Sequence, residues 1–151
     1  FLTEAQDRIS AEHCGGLSHY PGSNELLCAR ADGSAILKLD MSDGTTTALA
    51  GSADSGFRSA TTLADGGYIA VGVDCEVVSS RTLPDLSGVC PYAFAEIGDS
   101  LFAGLRDGGI LEITAGGDVR VRATATMWPA GVASANGHTA VLGSPMPTNS
   151  G

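Results

Sequence analysis

The sequence predicts an all-β fold of β-propeller type. It reads as four-stranded antiparallel blades, about three and a half of them, in an incomplete ring led by a short N-terminal helix. Three observations predict this. First, one motif recurs four times: a short strand, a polar turn, a second strand of small apolar residues, and then Asp-Gly or a close variant. The copies are Gly16-Leu17-Ser18-His19-Tyr20 with Leu26 to Asp32-Gly33, and Phe57-Arg58-Ser59-Ala60 with Tyr68 to Asp74-Cys75. They continue with Pro91-Tyr92-Ala93-Phe94 and Leu101 to Asp107-Gly108, then Pro129-Ala130-Gly131-Val132 and Thr139 to Gly143. Second, the anchoring aspartates stand 42 and 33 residues apart, and a strand-built period of roughly 40 residues is that of propeller blades. Third, the chain holds 21 glycines among its 151 residues and Lys38 is its one lysine. That composition suits short strands and tight turns better than long helices.

The elements follow in order. Residues 1–12 form a helical segment, because Thr3-Glu4-Ala5-Gln6 fits a capping box and Leu2, Ala5 and Ile9 fall near one face. The repeats occupy 13–143, with blades over approximately 13–51, 52–89, 90–125 and 126–143. In the first blade the strands are Gly16–Tyr20, Glu25–Ala31, Ser34–Asp40 and Thr45–Leu49. Ser42-Asp43-Gly44 turns between the last two, and Asp-Gly is the dipeptide whose two positions best accept positive φ. The second blade has Ser59–Thr62, Tyr68–Val73, Glu76–Thr82 and a weak fourth strand at Gly88–Val89. The third has Tyr92–Ile97, Leu101–Leu105, Gly109–Thr114 and Asp118–Thr124. In its third strand Ile110 and Glu112 point one way and Leu111 and Ile113 the other. The fourth has Gly131–Ser134 and His138–Leu142, and 144–151 is a tail.

Closed propellers have about four to eight blades, and open sheet edges are avoided in natural proteins. The expectation is therefore a fragment, a ring completed by another chain, or an edge covered in a larger assembly. The sequence opens on Phe1 rather than Met, as a processed or trimmed chain does.

Composition excludes several functions. The formal net charge is −9, and the acidic groups are scattered through turns. A nucleic-acid partner is not expected, since phosphate contacts need a basic face and Arg120 and Arg122 are the one close basic pair. No stretch approaches the ~20 apolar residues of a membrane helix, so no membrane span is expected. Cys14, Cys28, Cys75 and Cys90 allow three pairings. Cys14 and Cys28 flank one hairpin turn and Cys75 and Cys90 another, which suits two local bridges, Cys14–Cys28 and Cys75–Cys90. Such bridges imply an oxidising, extracytoplasmic compartment: secreted, periplasmic or in an organelle lumen. The other possibility is four small buried thiols.

Candidate chemistry is thin. His13, His19 and His138 lie on different strands and turns, and the cysteine spacings fit no zinc pattern. No G-x-S-x-G elbow occurs. Asp40 to Thr45 has the alternating oxygens of a calcium loop without the later bidentate Glu, and a turn explains it better. Neither a metal nor a cofactor is expected, and no catalytic residue is assigned. Tyr20, Phe57, Tyr92 and Phe94 fall on inner strands and are expected to pack between blades. Met127, Trp128 and Pro129 form the candidate partner patch.

The first blade, with Gly16-Leu17-Ser18, Leu26-Leu27-Cys28-Ala29, Asp32-Gly33-Ser34-Ala35-Ile36 and Thr47-Ala48-Leu49-Ala50-Gly51, resembles an NHL-type blade. It is also similar to blades of the SMP-30/gluconolactonase-like group, and the third blade repeats the pattern with Leu111-Glu112-Ile113. The likeness covers roughly 14–143 and implies the propeller fold; none of that group's metal-binding or catalytic residues carries over. The function expected first is a non-catalytic interaction or structural module, an accessory subunit or fragment of a larger assembly. The alternatives are part of a propeller hydrolase or lactonase-like enzyme, and a carbohydrate-binding propeller.

Overall fold

In a computed structural model of the chain, residues 13–124, 127–135 and 138–145 are described, with side chains described through Arg122. The helix expected over 1–12 lies outside the described residues, as does most of the 144–151 tail. Among the described residues every regular element is a β-strand, and no helix is long and apolar enough to cross a membrane. The chain divides into two compact units, 1–82 and 83–151.

The first unit holds two antiparallel sheets. β1 (Cys14–His19), β2 (Glu25–Arg30), β3 (Ile36–Asp40) and β4 (Thr46–Leu49) pair in the order β1-β2-β3-β4. β5 (Phe57–Thr62), β6 (Tyr68–Gly72) and β7 (Val77–Ser79) pair as β5-β6-β7. The two sheets pack face to face around Tyr20, Leu27, Ala29 and Ile36 from the first and Phe57, Tyr68 and Ala70 from the second, with Ala53 between them. Leu49 and Val78 close the outer margin of this core. Small residues let the sheets come close. A Cβ on Gly33, whose φ is +74°, would stand 1.7 Å from the Ala53 carbonyl oxygen, and one on Gly16 would stand 2.3 Å from the Ser59 backbone. At that range backbone meets backbone: the Ala53 amide donates to the Gly33 carbonyl at 3.0 Å. On the inner strands the Thr62 hydroxyl donates to the His19 carbonyl at 2.8 Å.

The second unit holds β8 (Pro91–Ile97), β9 (Ser100–Leu105), β10 (Gly109–Ile113) and β11 (Val119–Thr124) in the order β8-β9-β10-β11. A separate hairpin of β12 (Met127–Ala135) and β13 (His138–Pro145) follows. Phe94, Leu101, Ala103, Leu105, Leu111 and Ile113 are buried.

Three corrections to the sequence expectations emerge. Gly88–Val89 is no strand, so the second sheet has three strands rather than four. The reason is local: the Asp85 carboxylate accepts the Ser87 amide at 2.9 Å and the Val89 amide turns back to the Leu86 carbonyl at 3.1 Å, which bends the chain just past Pro84. The Asp43-Gly44 turn is not of the two-positive-φ kind, since Gly44 (φ +71°) alone is left-handed. The Asp40 amide instead closes a longer loop on Thr45 at 2.9 Å. In the last hairpin the first strand runs longer than expected at both ends, and the second starts at His138 as expected and runs on to Pro145.

A feature invisible in the residue pattern repeats in all four sheets. The register between the first two strands slips once in each, at Gly15, Arg58, Tyr92 and Ala130. One extra residue at the same place in the first strand of each sheet is a recurring β-bulge of the repeat, and a bulge re-aims the side chain it carries.

Candidate functional site

The aspartates that anchored the repeat build turns. Asp32, Asp74 and Asp107 each accept the amide two residues on, from Ser34 at 3.0 Å, Glu76 at 3.4 Å and Gly109 at 2.9 Å. The backbone and hydroxyl of Ser34 hold the Asp32 carboxyl below its usual range, and the hydroxyl of Ser55 and the amide of Glu76 do so for Asp74. Asp40, the start of the calcium-like segment, accepts both the amide and the hydroxyl of Ser42, at 2.8 and 2.5 Å. Its Oδ1 is engaged in an Asx turn.

The histidines do not converge. His13 and His19 are exposed, and His19 Nε2 lies 2.8 Å from the Ser23 carbonyl oxygen. His138 pairs with Ala135 at the start of β13. Among the described residues no three His, Cys, Asp or Glu side chains gather as metal ligands would.

Cys14 and Cys28 form a disulfide, with Cα atoms 5.4 Å apart. Cys75 and Cys90 are also disulfide-bonded, and no free thiol remains. Met127, Trp128 and Pro129 open β12, opposite Pro145, Ser144 and Gly143. Pro129 stands beside the bulge of β12. Of the four inner-strand aromatics, Tyr20 and Phe57 pack in the core between the first two sheets, Phe94 is buried and Tyr92 is half-buried.

Two polar arrangements escaped the sequence pattern. In the first unit a groove of about 310 Å³ runs between the β1–β2 and β5–β6 turns, past Tyr20, Glu25, Lys38 and Leu63. Lys38 Nζ bonds Glu25 at 3.2 Å and sits 4.8 Å from the centre of the Tyr20 ring. Burial, then the nearby Glu25 carboxylate, pushes the Tyr20 phenol up. The second unit places a charge at the matching register with the opposite sign. Glu112, opposite Phe102 as Lys38 is opposite Leu27, is only 8% exposed. It accepts the Ser100 hydroxyl at 2.8 Å and is ion-paired with Arg122. The Ser100 hydrogen bond foremost, with Arg122 beside it, holds the Glu112 carboxyl below its usual range.

Arg122 stays half exposed beside the buried Glu112, and residues 119–122 of β11 are exposed on both faces. Arg120 lies opposite Glu112, while Val119 and Val121 lie opposite Ile113 and Leu111. Directly opposed residues share a face. Arg122 is drawn to Glu112 and Arg120 pairs with Asp118 at 3.7 Å; the valines take the other face, and they are 43% and 71% exposed. An edge strand with an open apolar stripe is a ready contact surface. The alternation of Val119-Arg120-Val121-Arg122 was the available signal.

No protein-family model matches the chain, and no curated protein matches it. Solved structures do. The chain is similar to a streptogramin B lyase at 14% identity and a TM-score of 0.58, over 80% of this chain and 44% of that one. It is similar to BamB from Moraxella catarrhalis at 20% identity and 0.60, over 85% and 41%. The computationally designed protein Ika4 matches at 16% identity and 0.63, over 86% and 90%. The chain thus spans less than half the length of the lyase and of BamB. At these identities the likeness is one of architecture, and it shows that the blades are those of a β-propeller.

Proposed function

We propose that the chain is a non-catalytic interaction or structural module whose open sheet surfaces are covered by a protein partner in a larger assembly. The observation that carries this is the exposure of Val119 and Val121 on β11, the outer edge of a four-stranded sheet. Apolar side chains on an edge strand are a liability unless another surface covers them. Met127, Trp128 and Pro129 at the start of β12 are the second contact region. The disulfides support an extracytoplasmic setting, secreted, periplasmic or lumenal.

The test is site-specific photo-cross-linking in the native host, with the reactive group at position 121, 128 or, as a control on exposed β4, 47. The module reading predicts cross-links to a second polypeptide from 121 or 128, reduced by Val119→Asp, and none from 47. Cross-links from all three positions alike, or from none, would overturn it. A lactone hydrolysed in step with chain concentration would replace it with the enzyme reading.

A further inference from the structure

The groove of the first unit is walled by two turns that hydrogen bonds hold in shape. On one side the Ser23 amide donates to the Tyr20 carbonyl at 3.2 Å, and the Glu25 amide donates to the Ser23 hydroxyl at 3.1 Å. On the other the Gly66 amide donates to the Leu63 carbonyl at 3.0 Å, and Arg81 holds the Asp65 carboxylate at 2.8 Å. Pro21 and Ala64 are exposed and add apolar surface to the walls. Between the turns stands the ion pair of Glu25 Oε2 with Lys38, the one lysine of the chain. An ammonium has three donors and a carboxylate two oxygens. Lys38 spends one donor on Oε2, and no described residue hydrogen-bonds its other donors or Glu25 Oε1. The hydroxyl of Tyr20, whose ring lies under Lys38, is buried and also has no hydrogen-bond partner among the described residues. Buried hydroxyls left so are uncommon in native proteins and call for a partner.

We propose that this groove binds one neutral pyranose sugar, with neighbouring hydroxyls on Glu25 Oε1 and Lys38 Nζ and a C–H face on Pro21 and Ala64. Charge decides the ligand class. Lys38 and Glu25 stand 3.2 Å apart, so an anion drawn to one is repelled by the other, and a cation likewise. A hydroxyl donates and accepts at once. Two adjacent hydroxyls therefore bond both members of the pair without separating them, and hydrogen bonds to charged groups are the stronger kind. Size decides the extent. About 310 Å³ stands at the small end of ligand clefts, which begin at ~300 Å³, and it suits one ring rather than a chain of rings. The lining residues all belong to the first unit, so the site goes beyond the partner reading and does not depend on what covers β11.

The experiment titrates the full, disulfide-bonded chain, isotope-labelled at lysine, with glucose, galactose and mannose, and with inorganic phosphate and ethylammonium as charged probes. Lys38 gives a single backbone amide signal, because the chain has no other lysine. At least one hexose is expected to shift that signal saturably, with a Kd of about 10 mM or tighter. Phosphate and ethylammonium are expected to leave it in place. Glu25→Gln should weaken hexose binding about fivefold or more, and because it keeps the lysine signal, fold and binding are read in one spectrum. Lys38→Met, read from the sugar side by saturation transfer, should weaken it as much. Val73→Ala, past the far end of β6 and 50% exposed, should leave binding unchanged. A methyl glycoside that binds as its free hexose does identifies the terminal unit of a glycan, and one that does not identifies the free sugar; both outcomes support the site. No saturable shift with any hexose, or a charged probe acting at lower concentration than the sugars, would overturn the proposal. So would hexose binding indifferent to Glu25→Gln.

Discussion

The outer strands of the two four-stranded sheets, β4 and β11, end their sheets in opposite ways. On β4, Leu49 lies opposite Ile36 and packs on the core, while Thr46 and Ala48 face solvent. On β11, Arg122 ion-pairs with the buried Glu112 carboxylate, and the valines are exposed on the other face. One sheet closes by apolar packing and polar exposure. The other closes by an ion pair and leaves its apolar face open. The difference teaches that a blade's outer strand is specified by what the third strand presents. Where that strand offers Lys38, half-exposed, the fourth strand supplies apolar packing. Where it offers Glu112, the fourth strand supplies an arginine, and alternation then puts valine on the other face.

Breaking the closed side should have the largest effect. Gly33→Ala places a Cβ on the Ala53 carbonyl and is expected to cost more than about 4 kcal/mol, or to prevent folding of the first unit. Gly117→Ala, in the turn leading into β11, has the same left-handed backbone (φ +85°) and nothing within 4 Å. It should cost about 1 kcal/mol. Urea melts of the two variants separate close packing from backbone conformation. Next, the Cys14→Ser/Cys28→Ser double variant removes a bridge closing a sequence separation of 14. It is expected to lose about 3 kcal/mol by the same melts. Below that, Leu49→Ala should cost about 2 kcal/mol, at the low end for a leucine that is only half-buried. Val121→Ala should stay within about 0.5 kcal/mol of the native chain. Equal costs would erase the contrast between the strands.

The smallest effect is in acid. Glu112 is held below its ordinary value of 4.5, so the folded state binds its proton less readily than the unfolded chain does. Its contribution is complete above pH 4.5 and is lost as pH falls through the depressed value. The Arg122 Nε–H resonance should therefore keep its hydrogen-bonded shift down to pH 4.5 and lose it below. A midpoint above 4.5 would contradict the buried pair.

Much of the first and third sheets was legible in the residues. The Asp-Gly anchors marked the turns, and aligning Asp74-Cys75 with Asp32-Gly33 already implied that Cys75 must adopt a glycine's backbone. Gly88–Val89 misled because two apolar-compatible residues after a proline satisfy a strand pattern too short to define one. The close approach at Gly16 and Gly33 was illegible, since a glycine needed for turning and one needed for packing look alike in sequence. Glu112 showed its side of the strand but not its burial, because burial depends on Ser100 and Arg122 arriving from two other strands. The candidate surface stayed hidden for the same reason: Trp128 is the largest side chain, whereas the exposed apolar stripe is made of two valines.

The most direct test of this contrast is solvent paramagnetic relaxation enhancement on methyl-labelled chain, using a soluble gadolinium chelate and comparing Val119 and Val121 with Leu49. The account predicts enhancement at the Val121 methyls several-fold above that at Leu49, with Val119 between them. Enhancement at Val121 equal to or below that at Leu49 would mean that β11 is covered in the free chain, and the open contact surface would be contradicted.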